Sequence, residues 1–222
     1  MIDKERILVR TADVVLSLAV ASQYGQRLNK IRLQKLIYLA DAVSSLFALL
    51  PPEESHTTYM HGPYDSAIQR AADALAFRGF VTIHSIRPHA GGVSADYGLS
   101  EAGVQLANRF RIDLLGQAEV YMEVAARVNL IGWPRLKALV YAEPTFVDAR
   151  ARGYGLPLEV ADGLTNSSAL ILSVIDNVLD REGLAYRPPR HVILDLFFKY
   201  LTEYALHSIA EPNDEPEEED HE

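Results

Sequence analysis

The sequence predicts a mainly α-helical (α+β) protein with one short β-hairpin near its middle. Apolar residues recur at helical spacing along most of the 222 residues, and 49% of the chain is hydrophobic, which is enough to build a substantial core. Residues 80–99 are the exception, because β-branched residues form two extended runs there, separated by the turn residues 88–92.

Two helices are predicted at the start of the chain. The first covers residues 4–22, where apolar residues repeat at helical spacing, and Gly25 marks its end. The second follows Asn29, a residue type that commonly caps helices, and runs to about residue 49. Pro51 ends this second helix.

A third helix, the hairpin and a fourth helix follow. Pro63 suits the first turn of the third helix, and Gly79 stops that helix. Residues 80–86 and 93–99 form the two strands, and Ser100 caps the fourth helix. Three helices, a hairpin and a helix are the order of a winged helix with an extra leading helix, in which the hairpin would be the wing.

From Gly116 the sequence is helical again. Predicted helices cover residues 117–130, 134–141, 145–152, 165–179 and 191–209, with Thr165 as a cap and Gly183 as a stop signal. No linker rich in Gly, Ser or Pro lies between residues 110 and 120, so we expect the two halves to pack together. We divide the chain into a winged-helix-like region (1–115), a helical extension (116–209) and an acidic tail (210–222).

The net charge of −9 comes mostly from the end of the chain. Residues 211–222 contain eight acidic residues and neither lysine nor arginine, so the rest of the protein is nearly neutral. Such a segment is typical of a disordered, solubilising tail. An alternative is that the tail imitates a nucleic acid and shields a basic surface.

Composition excludes several classes of site. The absence of cysteine excludes disulfides, thiol nucleophiles and cysteine-ligated zinc. The seven histidines do not show the spacing of a helical zinc site, so we predict neither a metal nor a cofactor. No signal-like segment or apolar run of about 18 residues is present, which favours a cytoplasmic protein without a membrane span.

A polar face on the second helix is the first candidate binding surface. Gln34, Tyr38 and Asp41 are spaced so that they share one helix face, opposite the apolar one. The turn His61-Gly62-Pro63-Tyr64 would lie beside this face. A structural alternative is that Tyr38 covers the rim of the core and that Asp41 accepts hydrogen bonds from the backbone of the turn.

Two segments resemble a known family. LQKLIYLAD (residues 33–41) and YMHGPY (residues 59–64) are similar to the signature of the Panacea domain, the SocA-like, phage- and toxin-associated antitoxin family. YGLSEAG (residues 97–103) resembles the end of the hairpin in winged-helix proteins. The resemblance covers residues 28–105, a little under half of the chain.

The resemblance implies a non-catalytic bacterial or phage protein that binds and neutralises a toxin encoded nearby, or that serves in phage defence. Some relatives act as adaptors that deliver a toxin to a protease. We expect the partner to contact the polar face and the turn. The predicted partner-binding residues are Gln34, Tyr38, Asp41, His61 and Tyr64.

Two other functions stay open. A DNA-binding regulator would use basic residues at the start of the second helix, on the third helix and in the wing, although the third helix is weakly basic. The candidate residues are Lys30, Arg32, Lys35, Arg70, Arg78 and Arg87. An enzyme would use a pair of His61 and Asp41 as a general base, but no nucleophile motif accompanies that pair. The sequence does not specify the oligomeric state.

Overall fold

The computed structural model describes residues 4–53, 55–89, 92–161, 165–181 and 188–208. The protein is mainly helical with small antiparallel sheets, which confirms the predicted fold class. The helices are α1 (Lys4–Gln23), α2 (Lys30–Val43), α3 (Ser66–Phe77), α4 (Glu101–Asp113), α5 (Leu115–Ile131), α6 (Leu136–Tyr141), α7 (Pro144–Arg152), α8 (Ser167–Arg181) and α9 (Arg190–Ser208). The strands are β1 (Leu28–Asn29), β2 (His56–Thr57), β3 (Val81–His89), β4 (Gly92–Leu99) and β5 (Pro157–Leu158).

The N-terminal half has the strand order of a winged helix. The strands β3 and β4 form the predicted hairpin, and the short strand β1 pairs with β4 to give the order β1-β4-β3. Leu28 lies opposite Tyr97 in that pairing. Because β1 lies between α1 and α2, α1 is the first helix of this unit and not the extra helix that was predicted. Strand β1 was not predicted, since two residues carry no periodic signal.

Helix α2 is buried on every side, which corrects the prediction of an exposed polar face. All residues from Leu33 to Val43 are buried, including Gln34, Tyr38 and Asp41. Helices α1, α5, α6 and α8 all contact α2, so the C-terminal half covers the face that the pattern suggested was open to solvent. The two halves therefore share one core, and only Leu114 separates α4 from α5.

Several predicted boundaries shift for local reasons. Helix α3 begins at Ser66 and not at Pro63, because the Asp65 side chain caps it by accepting from the Ala67 N–H at 2.8 Å. Helix α2 ends at Val43, and a short 3₁₀ helix (Ser44–Phe47) follows it. The Asn166 side chain, rather than Thr165, accepts a hydrogen bond from the first turn of α8.

Some predictions concern residues outside the described ranges. Gly183 and the acidic tail are among these residues, so the predicted stop of α8 and the nature of the tail stay predictions. Among the described residues, no helix combines the length and the hydrophobicity that crossing a bilayer requires.

Gly103 allows α4 to pack closely against the start of the hairpin. A Cβ at this position would lie 2.0 Å from the Phe80 carbonyl oxygen, so the backbone would have to move. We expect Gly103→Ala to lower the free energy of unfolding by about 2–3 kcal/mol, the cost of overpacking. Gly116→Ala is the matched control, since its Cβ would meet Leu49 at an ordinary 3.7 Å.

Urea unfolding of both variants measures this effect. The control should be neutral or more stable by about 0.5–1 kcal/mol, because alanine is the better helix residue. Equal stability of Gly103→Ala and Gly116→Ala would contradict the close packing at Gly103.

Candidate functional site

Arg10 lies at the centre of a buried group of charges. Its guanidinium donates to the carboxylates of Asp13 at 2.7 Å, Asp41 at 2.8 Å and Asp65 at 2.8 Å. Arg10 is fully buried, so these ion pairs are strongly coupled and depend on one another. The carboxylates belong to α1, to α2 and to the cap of α3, which means that one guanidinium holds three helices together.

Asp65 and Asp13 accept further hydrogen bonds from residues other than Arg10. Asp65 also accepts from Arg6 at 2.8 Å. Asp13 accepts from the Tyr121 hydroxyl at 2.8 Å and from the Gln117 amide at 2.6 Å, and both of these residues belong to α5. The group therefore extends from the N-terminal half into the C-terminal half. We call Arg6, Arg10, Asp13, Asp41, His56 and Asp65 the Arg10 cluster.

His56 is the histidine that pairs with Asp41. Its Nε2 lies 2.7 Å from the Asp41 carboxylate, so Nε2 carries the proton and donates. Burial alone would raise the pKa of the Asp41 carboxyl, but Arg10 and His56 outweigh burial and lower it. The proposed general-base pair of His61 and Asp41 is therefore wrong. His56 is the histidine bonded to Asp41, and His61 is exposed in the turn.

A second buried group joins α2 to α7 and α8. The Glu143 carboxylate accepts from the Tyr38 hydroxyl and from the Ser168 hydroxyl, the latter at 2.5 Å. It also caps α7 by accepting from the N–H groups of Thr145 at 3.1 Å and Phe146 at 2.7 Å. Burial and the Glu143 charge raise the pKa of Tyr38 well above its usual value.

The three polar residues predicted on α2 thus bind other parts of the protein. Tyr38 binds Glu143, and Asp41 binds Arg10 and His56. The Gln34 amide donates to the Asp65 carbonyl at 2.8 Å and accepts from the Asp65 N–H at 2.9 Å. All three side chains are buried and form these bonds within the core, so the structure does not present them for direct contact with a partner.

The predicted turn, in contrast, presents its side chains to solvent. Tyr59 is 50% exposed, Met60 is 60% exposed, and Tyr154 in the adjacent loop is 55% exposed. The Tyr59 ring lies 6.0 Å from the His61 ring and 5.8 Å from the Tyr64 ring. We call Tyr59, Met60, His61, Tyr64 and Tyr154 the turn surface.

Backbone hydrogen bonds fix the shape of this surface. Thr57 and Tyr64 exchange two N–H···O bonds of 3.0 Å across the turn. Thr58 donates to the Leu156 carbonyl at 2.8 Å, which ties the turn to the loop that carries Tyr154. Main-chain hydrogen bonds therefore fix the backbone that carries the exposed side chains, and these side chains are not needed to maintain the fold.

Two side chains support the turn from below. The Tyr141 hydroxyl donates to the Met60 carbonyl at 3.1 Å, and the Lys35 ammonium donates to the His61 carbonyl at 2.7 Å. Gly62 has a φ of +98°, a conformation that L side chains rarely adopt, and a Cβ there would lie 3.4 Å from the Lys35 nitrogen. The turn thus closes tightly over Lys35.

Lys35 belongs to a group of cations around one aromatic ring. The side-chain cations of Lys35, Lys137 and Arg150 lie 5.7, 5.8 and 5.3 Å from the centroid of the Tyr141 ring. Burial, followed by repulsion from Lys137, lowers the pKa of Lys35 to about 8. We call Lys35, Lys137, Tyr141 and Arg150 the Tyr141 cation group.

The lowered pKa of Lys35 predicts a rise in stability at alkaline pH. Because the unfolded chain keeps the Lys35 proton up to about pH 10.5, it binds more protons than the folded protein above pH 8. The free energy of unfolding should therefore rise by about 2 kcal/mol between about pH 7.5 and 9.5. Urea unfolding at both pH values tests this, and Lys35→Met should lack the rise. An equal rise in that variant would contradict the assignment to Lys35.

The basic residues predicted for DNA binding differ in how far they are exposed to solvent. Lys30 is exposed and lies 5.5 Å from the centroid of the Tyr64 ring, whereas Lys35 is buried. Arg32 is half-buried, Arg70 on α3 and Arg78 just after α3 are exposed, and Arg87 on β3 pairs with Asp96 at 3.3 Å. The third helix and its end thus retain two exposed cations.

A small cavity borders the Arg10 cluster. Its volume is about 130 Å³, and its lining includes Asp13, Asp41 and Tyr121 on one side and Leu50 and Pro51 on the other. The polar side chains on its wall are already bonded to Arg10 or to one another. Within the described ranges, no group of three or more His, Asp or Glu side chains is arranged to hold a metal ion.

Sequence reasoning missed three residues that organise the interior: Arg10, His56 and Glu143. Arg10 and Asp13 stand three residues apart inside an apolar stretch of α1, and that spacing was the available signal. Glu143 precedes Pro144, and proline is common in the first turn of a helix, so Pro144 was the available signal. His56 gave no signal, because its partner Asp41 belongs to another element.

The comparisons with known proteins leave the family open. No protein-family model matches the chain, and no curated protein sequence matches it significantly.

Proposed function

We propose that this protein acts by binding another protein through the turn surface, without catalysis of its own. Following the resemblance of residues 28–105 to Panacea antitoxins, we propose that the partner is a toxin encoded nearby, or a component of a phage-defence system. The polar residues of α2 serve this function indirectly, since Gln34 and the Arg10 cluster position the segment that leads into α3.

One observation carries the proposal: large side chains are exposed on a turn whose backbone is rigidly held. Tyr59, Met60 and Tyr154 are each at least half exposed, and their loops are joined by main-chain hydrogen bonds. Tyrosine and methionine are enriched at protein interfaces, and a preformed loop loses little conformational entropy on binding. The side chains of Gln34, Tyr38 and Asp41, in contrast, form their hydrogen bonds inside the protein.

DNA binding is the second candidate function, and the exposed Arg70 on α3 and Arg78 at its C-terminal end favour it. In a winged helix the third helix lies in the major groove. The same helix also exposes Asp73, and the chain without residues 211–222 is nearly neutral, so the phosphate backbone meets little net positive charge.

Capture of the partner from the native cell, after nuclease treatment, tests the main proposal. We expect one stoichiometric protein partner, and Met60→Asp should lower its affinity by at least about 30-fold, as for a central interface residue. Val174→Asp is the matched control, since it places the same charge on the exposed apolar stripe of α8 that includes Leu170 and Val178. This control should bind normally.

Two results would overturn the proposal. Loss of the partner by Val174→Asp but not by Met60→Asp would move the interface to α8. Recovery of DNA alone, with binding that falls steeply with salt and is abolished by Arg70→Ala plus Arg78→Ala, would favour the regulator.

A further inference from the structure

We propose that the Tyr141 cation group binds a carboxylate, and that the partner at the turn surface supplies it from an aspartate or glutamate side chain. The inference rests on the proposed function for the identity of the partner. The carboxylate site itself rests on the structure of the group alone.

Lys35 is the main evidence, because it is a buried cation without a counter-ion. The residue is 2% exposed, and among the described residues its ammonium makes one hydrogen bond, to the His61 carbonyl. No carboxylate of the described residues lies within ion-pair distance of it. Buried charges are normally paired, since removing an ammonium from water is costly. An ammonium with two further N–H groups and no anion is therefore prepared for an anion that comes from outside.

Other cations close to Lys35 add to the positive charge around it. Lys137 is exposed and repels Lys35, and both ammonium groups lie within 5.8 Å of the Tyr141 ring centroid. Arg150 lies 5.3 Å from the same centroid. The repulsion between Lys35 and Lys137 is unfavourable in the free protein, and a bound anion relieves it. Lys137 is the exposed lysine of the group, so an anion that arrives from solvent contacts it first.

The surroundings favour a carboxylate over the phosphates of a nucleic acid. The turn surface lies directly over the group, because Lys35 and Tyr141 bind the carbonyls of His61 and Met60. A protein that covers the tyrosines and Met60 would bring one of its own side chains to Lys137. Without residues 211–222 the chain is nearly neutral, so it lacks the net positive charge that holds a polyanion, whereas a single carboxylate within a complementary surface experiences mainly the local cations.

Sodium acetate is the probe, used with the full-length chain labelled with ¹³C at lysine. The chain has five lysines, so variants assign each signal in the spectrum. At constant ionic strength, acetate should shift the Lys35 and Lys137 signals saturably and raise the pKa of Lys35 above about 8. Lys137→Gln should weaken acetate binding about fivefold, the loss expected when a partly exposed charge pair is removed.

Lys199→Gln is the control, since it removes an exposed lysine on α9 and should change acetate binding less than about twofold. Equal shifts with acetate and chloride, or equal effects of Lys137→Gln and Lys199→Gln, would overturn the carboxylate site. Saturation by inorganic phosphate but not by acetate would also overturn it.

Capture of the partner separates this inference from the proposed function. Lys137→Glu should lower partner binding at least about tenfold, and Lys199→Glu should not, because only the first charge faces the interface. If Met60→Asp abolishes capture but Lys137→Glu does not, the turn surface stands and the carboxylate contact fails. If acetate binds but the Met60→Asp variant still captures the partner normally, the turn surface is not the interface. The proposal that the partner supplies the carboxylate then fails, and the acetate site alone stands.

Discussion

Replacing Arg10 with methionine should lower the free energy of unfolding by about 3–5 kcal/mol, the cost of leaving buried charges unpaired. Methionine fills a similar space but donates no hydrogen bonds. The carboxylates of Asp13, Asp41 and Asp65 would then face one another without their shared guanidinium. Urea unfolding followed by circular dichroism measures the change.

Arg109→Met is the matched control for this prediction. The Arg109 side chain is largely exposed, and its ion pair with Asp113 spans 3.5 Å in solvent, so a change below about 0.5 kcal/mol is expected. If Arg10→Met were as stable as this control, the Arg10 cluster would not stabilise the fold as its geometry indicates.

Replacing Glu143 with leucine should have an effect of similar size, about 3–5 kcal/mol, through hydrogen bonds rather than ion pairs. The buried hydroxyls of Tyr38 and Ser168 would lose their acceptor, and the first turn of α7 would lose its cap. Glu203→Leu on the exposed face of α9 makes the same chemical change without these partners and should be nearly neutral.

A double variant checks that Tyr38 contributes to this effect. Adding Tyr38→Phe to Glu143→Leu removes the hydroxyl as well as its acceptor, so the combined loss should be smaller than the sum of the two single losses. Additive losses would show that the two side chains act independently. Unfolding free energies of the two single variants and the double variant provide the cycle.

Elements with local signals were predicted well from the sequence. Asn29 caps α2 by accepting from the Arg32 N–H at 2.8 Å, and Ser100 caps α4 by accepting from the Gly103 N–H at 3.1 Å. The hairpin appears where β-branched residues replace the helical period. The pairing of β2 with β5 was beyond this reasoning, because each strand has two residues and they lie about 100 positions apart in the sequence.

The candidate site was predicted less well, for a physical reason. A helix with polar residues on one face is expected to expose that face. The sequence of α2 has such a face, but the structure buries it. The pattern does not reveal that the partners of those residues lie far away in sequence, such as Arg10 for Asp41 and Glu143 for Tyr38. The turn was located correctly, because Gly62 and Pro63 mark it locally.

The way in which the turn is held has a consequence for which residues of the turn surface can vary. The Met60 and His61 carbonyls, rather than their side chains, accept the hydrogen bonds from Tyr141 and Lys35. Every amino acid offers such a carbonyl, so residues 59–61 can vary without loss of the contacts that shape the loop. The side chains at residues 59–61 can therefore differ while Gln34, Tyr38 and Asp41 maintain the fold, and under the proposed function such differences would change the partner.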